Sequence, residues 1–366
     1  MLKLNVAICT SLLLCFVNCA PTKKPIGTPG ELSALNLTPV GRFYFMEGKL
    51  ALVSTAVHFG FSFEGREAKL YVSLPGAKSH NYLQYEVDGE YQDKIKIEAD
   101  STPYITLKAP TNGRHTVWIY KTTEAHTGAI YIESILANNV RPLREPAAPL
   151  IEFIGNSITC GAAADTLLIG CGKGAYHDQH NAYFAYGPRV ARALKLNFLI
   201  SAVSGIGIYR NWNSDGPTMP QVYENTNLLD AAAGAWNFKK YAPTIVSIAL
   251  GTNDFSKGDG KKLRLPFDSA VFVGNYINFV KLVKSKYPSA QIALLSSPMV
   301  TGTNGTILEH CLTAVKQQID AAYSSDKPVA LHFVQPIYTY GCGTHPSVEG
   351  HALMARELIP FFKALL

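Results

Sequence analysis

The sequence predicts two domains: an all-β, jelly-roll-like sandwich over residues 39–147, and a three-layer α/β domain with a five-stranded parallel sheet over residues 148–366. Three observations support this fold class. Short alternating apolar runs separated by Gly-containing turns fill the first region. Strands alternate with helical segments in the second region. Between them, three prolines in VRPLREPAAP at residues 140–149 are typical of a domain boundary.

The composition is that of a folded chain with a large core. Of the 366 residues, 47% are hydrophobic and 16% are charged, which excludes an intrinsically disordered protein. The net charge of +6 comes from Lys and Arg residues that never form a run longer than two. We therefore expect no nucleic-acid partner.

Residues 1–20 are typical of a secretory signal peptide. Lys3 is a minimal basic region, an apolar segment extends from Val6 to Val17, and small or polar residues follow. This segment is too short to span a membrane comfortably, and no other segment is long and apolar enough. A buried first helix is the alternative, and Phe-Val-Asn before Cys19 is a poor match to a lipid-anchor signal. We expect a secreted protein.

The first folded domain follows a predicted linker. Residues 21–38 are rich in Pro, Thr, Lys and Gly, which favours a linker over a packed element. From residue 39, at least seven short runs such as AKLYVSL, NYLQYEVDG and HTVWIYKTTE predict strands, and their spacing favours a sandwich or jelly roll. Since such folds serve many functions, we expect only docking and scaffolding from this domain.

The second domain reads as alternating strands and helices. The predicted strands are LIEFIG, NFLISAVSG, PTIVSIALG, QIALLSSP and VALHFVQ. The predicted helices include AYFAYGPRVARALKL, PFDSAVFVGNYINFVKLVKSKYP, TILEHCLTAVKQQIDAAYSS and SVEGHALMARELIPFFKALL. Because the strands are continuous apolar runs, they are expected to form a parallel sheet covered on both faces. Ligands of such sheets bind at the carboxyl ends of the strands.

Four loops at these carboxyl ends contain residues of types that can take part in catalysis. They are GNS with Ser157, AVSGIG with Ser204, Gly205 and Gly207, ALGTND with Gly251, Asn253 and Asp254, and THPSVEGH with His345. Each feature alone has an ordinary structural explanation, such as a turn, an N-cap or an Asx-turn. Their joint occurrence in this order, at one edge of a parallel sheet, indicates an active site.

These blocks resemble the SGNH (GDSL-like) hydrolase superfamily through FIGNSIT, VSGIG, LGTND and THPSVEGH. The fuller pattern, with NAYFAYGPRVAR and MPQVY, is similar to carbohydrate esterase family 2, and so is the β-domain before it. The resemblance implies Ser157 as nucleophile and His345 as general base. It implies an oxyanion hole made by the N–H groups of Ser157 and Gly205 and the side-chain amide of Asn253. Gly207 is the rival of Gly205.

Two positions depart from the superfamily pattern. Asn156 stands where an Asp usually precedes the serine. Cys342 stands three residues before His345, where an Asp usually orients the imidazole. We therefore expect a Ser-His dyad in which a backbone carbonyl or a water holds His345 Nδ1, while a remote acidic residue stays open as an alternative.

The resemblance implies O-acetyl groups on polysaccharides as substrate, with no cofactor and no metal. Tyr209 and Trp212, just beyond the second block, form either a sugar-stacking platform or part of the packing at the sheet edge. Two other functions stay open: a carbohydrate-binding protein with a vestigial hydrolase domain, and an esterase for longer acyl chains. We expect a monomer.

Four cysteines follow the predicted signal peptide: Cys160, Cys171, Cys311 and Cys342. An even number in a secreted protein indicates disulfides, with three possible connectivities. Of these pairings, the local Cys160–Cys171 bridge is the one we expect. A metal site built from Cys160, Cys171, His177 and His180 is the alternative, but its spacing fits no standard zinc pattern.

Overall fold

The structure, a computed structural model, describes residues 29–75, 80–99 and 103–366. The predicted signal peptide at residues 1–20 and the first part of the predicted linker lie outside these residues. Within them, no helix combines the length and the apolar character needed to cross a membrane.

The N-terminal domain is an antiparallel β-domain, as predicted. Its strands in the described residues are β1 (Pro29–Ser33), β2 (Phe43–Met46), β3 (Lys49–Leu52), β4 (His58–Ser73), β5 (His80–Val87), β6 (Glu90–Tyr91), β7 (Ile95–Glu98), β8 (Tyr104–Lys108), β9 (Arg114–Lys121) and β10 (Ile130–Leu143). The long strands β4 and β10 pair with each other, and register shifts interrupt their ladder. Bulges of this kind bend a sheet, so the strands curve around one apolar core.

The linker predicted at residues 21–38 is wrong from residue 29 onward. Strand β1 pairs antiparallel with β10. Leu32, Ala34 and Leu37 are buried in the core of the β-domain. The Pro- and Gly-rich composition suggested a linker, but burial of these apolar side chains stabilises the segment against the β-domain. Residues 29–38 therefore belong to the β-domain.

The C-terminal domain has the predicted five-stranded parallel sheet, in the order β12-β11-β13-β14-β15. The strands are β11 (Leu150–Gly155), β12 (Asn197–Ala202), β13 (Ile245–Ala249), β14 (Gln291–Leu295) and β15 (Ala330–His332). The helices are α1 (Ser157–Cys160), α2 (Tyr186–Leu194), α3 (Met219–Val222), α4 (Thr252–Phe255), α5 (Ser269–Lys286), α6 (Gly302–Ala322) and α7 (Val348–Lys363). Helices α5 and α6 cover one face of the sheet, and α2 and α7 cover the other.

One arginine of the β-domain is buried inside the α/β domain. The Arg42 side chain is fully buried, and its Nε donates a hydrogen bond to Ser201 Oγ at 3.0 Å. Its Nη1 donates to the Asn225 carbonyl at 2.5 Å, and its guanidinium lies 4.8 Å from the Trp236 ring centroid. The buried Glu152 carboxylate is 3.9 Å away. Because a buried charge needs such partners, the two domains are held in one arrangement.

Candidate active site

The loop after β11 places Ser157 at the start of a short helix. Strand β11 ends at Gly155, and Asn156 caps α1 by accepting a hydrogen bond from the Ile158 N–H at 3.2 Å. A Cβ on Gly155 would lie 2.0 Å from Thr159 Oγ1, so only glycine lets the chain turn this tightly. The N–H of Ser157 occupies the first helical position, where helices leave their donors unpaired.

His345 lies against this serine, although 188 residues separate the two in sequence. His345 Nε2 is 2.8 Å from Ser157 Oγ, and His345 Nδ1 is 3.2 Å from the Cys342 carbonyl oxygen. A carbonyl can only accept, so Nδ1 carries the proton and Nε2 is free to accept from the serine hydroxyl. In the described part of the chain, no carboxylate contacts this imidazole. Burial lowers its pKa below the ordinary value of histidine, which keeps it neutral.

A disulfide between Cys171 and Cys342 tethers the loop that orients His345. The predicted Cys160–Cys171 bridge is therefore wrong, and Cys160 and Cys311 are buried free thiols. Sequence proximity misled the prediction because Cys160 lies inside α1 and points into the core. The alternative metal site is excluded as well, since Cys171 is in the disulfide.

The second block provides a glycine whose N–H is available to a ligand. Gly205 has φ +79°, and its N–H has no acceptor within the described residues. The N–H of Gly207, its rival, already donates to Asn211 Oδ1 at 3.0 Å. A Cβ on Gly207 would lie 2.1 Å from the Arg210 carbonyl oxygen, so this glycine serves close packing. The geometry favours Gly205 as the oxyanion donor.

The third block orients a side-chain amide toward the same place. Asn253 is buried, and its Nδ2 donates to the Ile206 carbonyl at 2.8 Å. This bond uses one of the two amide hydrogens and leaves the other for a ligand. The neighbouring Asp254 has a structural role, since its carboxylate accepts the N–H groups of Ile208, Tyr209 and Arg210. Burial raises the pKa of Asp254 to about 6.

These groups share one cleft, of about 790 Å³, that both domains line. The residues that line it include His126 of the β-domain together with Ser157, Gly205, Asn253, Trp212 and His345. Trp212 is 45% exposed there, which leaves its ring free to contact a ligand.

Tyr209, which was predicted as a second substrate contact, does not line this cleft. Its ring packs edge-on against Phe267 and Phe272, and its hydroxyl accepts the Asp268 N–H at 3.2 Å. The turn that wraps around Asp254 directs this ring into the sheet-edge packing, which was the alternative that the sequence left open.

Sequence reasoning missed the contribution of the β-domain to the site. His126 lines the cleft, and Glu124 beside it is a buried acidic residue that contacts the Ser204 loop. Both lie in KTTEAHTG, a stretch without a catalytic motif. No pattern in the sequence marks either residue, because their positions in the site depend on how the β-domain docks.

One group of potential metal ligands lies outside the cleft. Donor atoms of His80, His177 and Asp178 lie within 4.8 Å of one another. His80 Nε2 is hydrogen bonded to Asp178, and His177 Nε2 donates to the His80 carbonyl at 3.0 Å. Asp178 also accepts from the Tyr82 hydroxyl at 2.9 Å. Because these groups are already paired with protein partners, they form a structural link between the two domains.

Taken together, the fold and the site define a class of protein. A serine and a neutral histidine in contact, beside three hydrogen-bond donors at the carboxyl edge of a parallel sheet, are the apparatus of a serine hydrolase that cleaves esters. Residues 153–353 match the GDSL-like lipase/acylhydrolase family, and residues 39–146 match the N-terminal domain of carbohydrate esterase family 2. The chain belongs to the GDSL-like family and is a carboxylic ester hydrolase.

Relatives share both domains in the same order. The chain is 26% identical over 308 residues to an acetylxylan esterase/glucomannan deacetylase of Cellvibrio japonicus, covering 82% of this chain and 80% of the relative. It is 31% identical over 311 residues to the cellulase/esterase CelE of Acetivibrio thermocellus, covering 81% of this chain and 35% of that longer protein. A family two carbohydrate esterase from Clostridium thermocellum, solved with cellohexaose, superposes with a TM-score of 0.77 at 28% identity, covering 92% and 100% of the chains. The resemblance to carbohydrate esterase family 2 is confirmed.

Proposed function

We propose that the protein is a secreted esterase that removes O-acetyl groups from plant-type polysaccharides such as xylan or glucomannan. The acetylated sugar would lie in the cleft with its ring near Trp212 and its acetyl group over Ser157. The observation that carries the proposal is the contact between Ser157 Oγ and His345 Nε2 at 2.8 Å, in a cleft of about 790 Å³ that Trp212 also lines.

Acylation follows from this geometry. Ser157 Oγ attacks the acetyl carbonyl carbon while His345 Nε2 accepts the hydroxyl proton. The oxyanion of the tetrahedral intermediate then receives hydrogen bonds from the N–H groups of Ser157 and Gly205 and from the Asn253 amide. Collapse of the intermediate breaks the bond to the sugar oxygen, which takes the proton from His345. The sugar leaves with a free hydroxyl and the acetyl group stays on Ser157.

Deacylation repeats these steps with water as nucleophile. His345 Nε2 takes a proton from the water as it attacks the acyl carbonyl carbon, and the oxyanion hole stabilises the second intermediate. Its collapse breaks the bond to Ser157 Oγ, which takes the proton from His345, and the acetic acid that leaves ionises to acetate in solution. The imidazolium that forms in each half-reaction keeps its Nδ1–H directed at the Cys342 carbonyl. A carbonyl dipole orients the ring as a carboxylate would, with less stabilisation of the positive charge.

The test is acetate release from acetylated xylan and acetylated glucomannan by the wild type and by Ser157→Ala. We expect turnover by the wild type and a loss of at least about a thousandfold in the variant, because the nucleophile is gone. Acetate release by Ser157→Ala at wild-type rate would refute the assignment.

Longer acyl esters are the second candidate substrate, because Phe255, Met299 and Val300 give one side of the cleft an apolar wall. A series of 4-nitrophenyl esters from acetate to octanoate decides between the two. An acetyl esterase loses kcat/KM sharply beyond two carbons, whereas a lipase-like enzyme gains with chain length.

Secretion is the part of the proposal that rests on residues 1–20 alone. Expression of the full chain in a host that processes signal peptides should release protein into the medium. Its N-terminal sequence should begin near Ala20. Recovery of the intact chain inside the cell would contradict secretion.

A further inference from the structure

A buried carboxylate of the β-domain contacts the loop that holds the oxyanion donor. Glu124 follows β9 and is 1% exposed. One carboxylate oxygen accepts the Ser204 N–H at 2.6 Å, and the other accepts the Ser204 hydroxyl at 2.5 Å. Ser204 directly precedes Gly205, so this two-point contact fixes the backbone that presents the Gly205 N–H to the cleft.

The other side of this loop is also fixed. The Trp212 N–H donates to the Gly205 carbonyl at 2.7 Å. With Glu124 holding Ser204 and Trp212 holding Gly205, the peptide between the two residues has little freedom to rotate. An oxyanion hole depends on such prior orientation, because donors that must first reorganise contribute less to the transition state.

The same carboxylate reaches the catalytic base by a second route. His180 Nε2 donates to Glu124 at 2.9 Å, and His180 Nδ1 accepts the Ala163 N–H at 3.4 Å. The Ala163 carbonyl accepts the Cys342 N–H at 2.8 Å, and the Cys342 carbonyl accepts from His345 Nδ1. Hydrogen bonds therefore connect Glu124 to both halves of the active site.

Glu124 stays ionised in this buried position. Burial alone would raise its pKa, but hydrogen bonds from His126 and His180 outweigh burial and hold the pKa well below the usual range of a glutamate. An ionised carboxylate offers only acceptors, which matches the donors that face it. A neutral amide of the same shape cannot satisfy all of them.

We propose that Glu124 is a positioning residue for ester hydrolysis. Through it, the β-domain fixes the relative positions of the loop that contains Ser204 and Gly205 and the loop that contains Cys342 and His345. The β-domain therefore contributes to the geometry of the catalytic centre, in addition to the docking role expected from the sequence. The proposal rests on the esterase function proposed above and extends it to a residue outside the hydrolase motifs.

The test is Glu124→Gln, with Glu86→Gln as the matched control. Glu86 is another β-domain carboxylate at the domain interface, where it accepts from the Tyr120 and Tyr183 hydroxyls at 3.0 Å. Within the described residues, its side-chain hydrogen bonds go to these two tyrosines and to none of the active-site loops. Both variants remove one negative charge from the same interface, so their difference isolates the connection to the catalytic centre.

Three measurements on the full chain separate positioning from stability. They are kcat and KM for 4-nitrophenyl acetate, the inhibition constant of methylboronic acid, which forms a tetrahedral adduct with serine, and the thermal midpoint. For Glu124→Gln we expect kcat to fall about 10- to 100-fold with KM within about twofold, since a misplaced oxyanion donor affects the transition state selectively. Boronate affinity should fall in parallel. Glu86→Gln should keep wild-type kcat.

Equal losses in both variants, or a kcat for Glu124→Gln within about twofold of the control, would overturn the proposal. So would a loss confined to KM. If Glu124→Gln does not fold, Ser204→Ala removes one of the two contacts and should lower kcat about three- to tenfold without a change in KM. An unchanged kcat in Ser204→Ala would also overturn the proposal. A wild type inactive on acetyl esters would instead refute the proposed function, so the two failures are distinguishable.

Discussion

Removing the Cys171–Cys342 disulfide should destabilise the fold strongly and slow the reaction only slightly. The perturbation is the double variant Cys171→Ala/Cys342→Ala, which leaves the Cys342 carbonyl and its contact with His345 Nδ1 chemically intact. The bridge closes a loop with a sequence separation of 171 residues. What changes is the tether on the loop that presents this carbonyl.

The loss of stability follows from the length of the closed loop, and the loss of rate follows from the backbone contacts that remain. A closed loop of this length gives about 5 kcal/mol in the chain-entropy treatment, and removal of native disulfides costs about 2–5 kcal/mol. We therefore expect the free energy of unfolding to fall by about 3–5 kcal/mol. The loop keeps its backbone anchors, since the Cys342 N–H donates to Ala163 and the Gly341 N–H donates to the His345 carbonyl, each at 2.8 Å. The loss in kcat should therefore stay below about tenfold, the worth of one hydrogen bond.

The assay is urea unfolding under non-reducing conditions, paired with kcat for 4-nitrophenyl acetate well below the unfolding transition. Cys311→Ala is the matched control, because it removes a buried thiol that forms no bridge. Reductant should bring the wild type to the stability of the double variant and leave that variant unchanged. Unfolding of the double variant at the same urea concentration as the control would show that the bridge does not stabilise the fold.

Three further predictions concern the base, the domain interface and the cleft. Burial lowers the pKa of His345, and the base works only when neutral, so the acidic limb of kcat/KM should have its midpoint below about 6.5. A midpoint above 7 in the pH profile would contradict this. Arg42→Met should lower the free energy of unfolding by about 3–5 kcal/mol in urea titrations, because Glu152 stays buried without its cation. Adding Glu152→Gln should restore part of the loss. Trp212→Ala should raise KM for acetylated oligosaccharides about three- to tenfold. An equal rise for 4-nitrophenyl acetate would argue against sugar stacking.

Much of the fold could be predicted because the strands have unmistakable patterns. The apolar runs of β11 to β15 predicted a parallel sheet, and the structure contains it in full. Strand β1 was missed because five residues with Pro and Gly have the composition of a linker. Only pairing with β10, over 100 residues away in the chain, makes this segment a strand.

The site was predictable where its residues follow strands and unpredictable where tertiary contacts decide. Ser157, Asn253 and His345 occupy strand-end loops, so topology alone brings them together. Glu124 could not be found, because its role depends on how the β-domain docks. The Cys171–Cys342 bridge was missed for the same reason. The sequence gives the spacing of cysteines along the chain, whereas a bridge depends on their distance in the folded molecule.

Arg42 has a consequence for how the chain is made. The β-domain leaves the ribosome first and can fold before the α/β domain is complete. At that stage the partners of its guanidinium, Ser201, Asn225 and Trp236, do not yet exist, and the charge faces water. The guanidinium therefore becomes buried only when the α/β domain folds against the β-domain, which couples the folding of the second domain to the docking of the first.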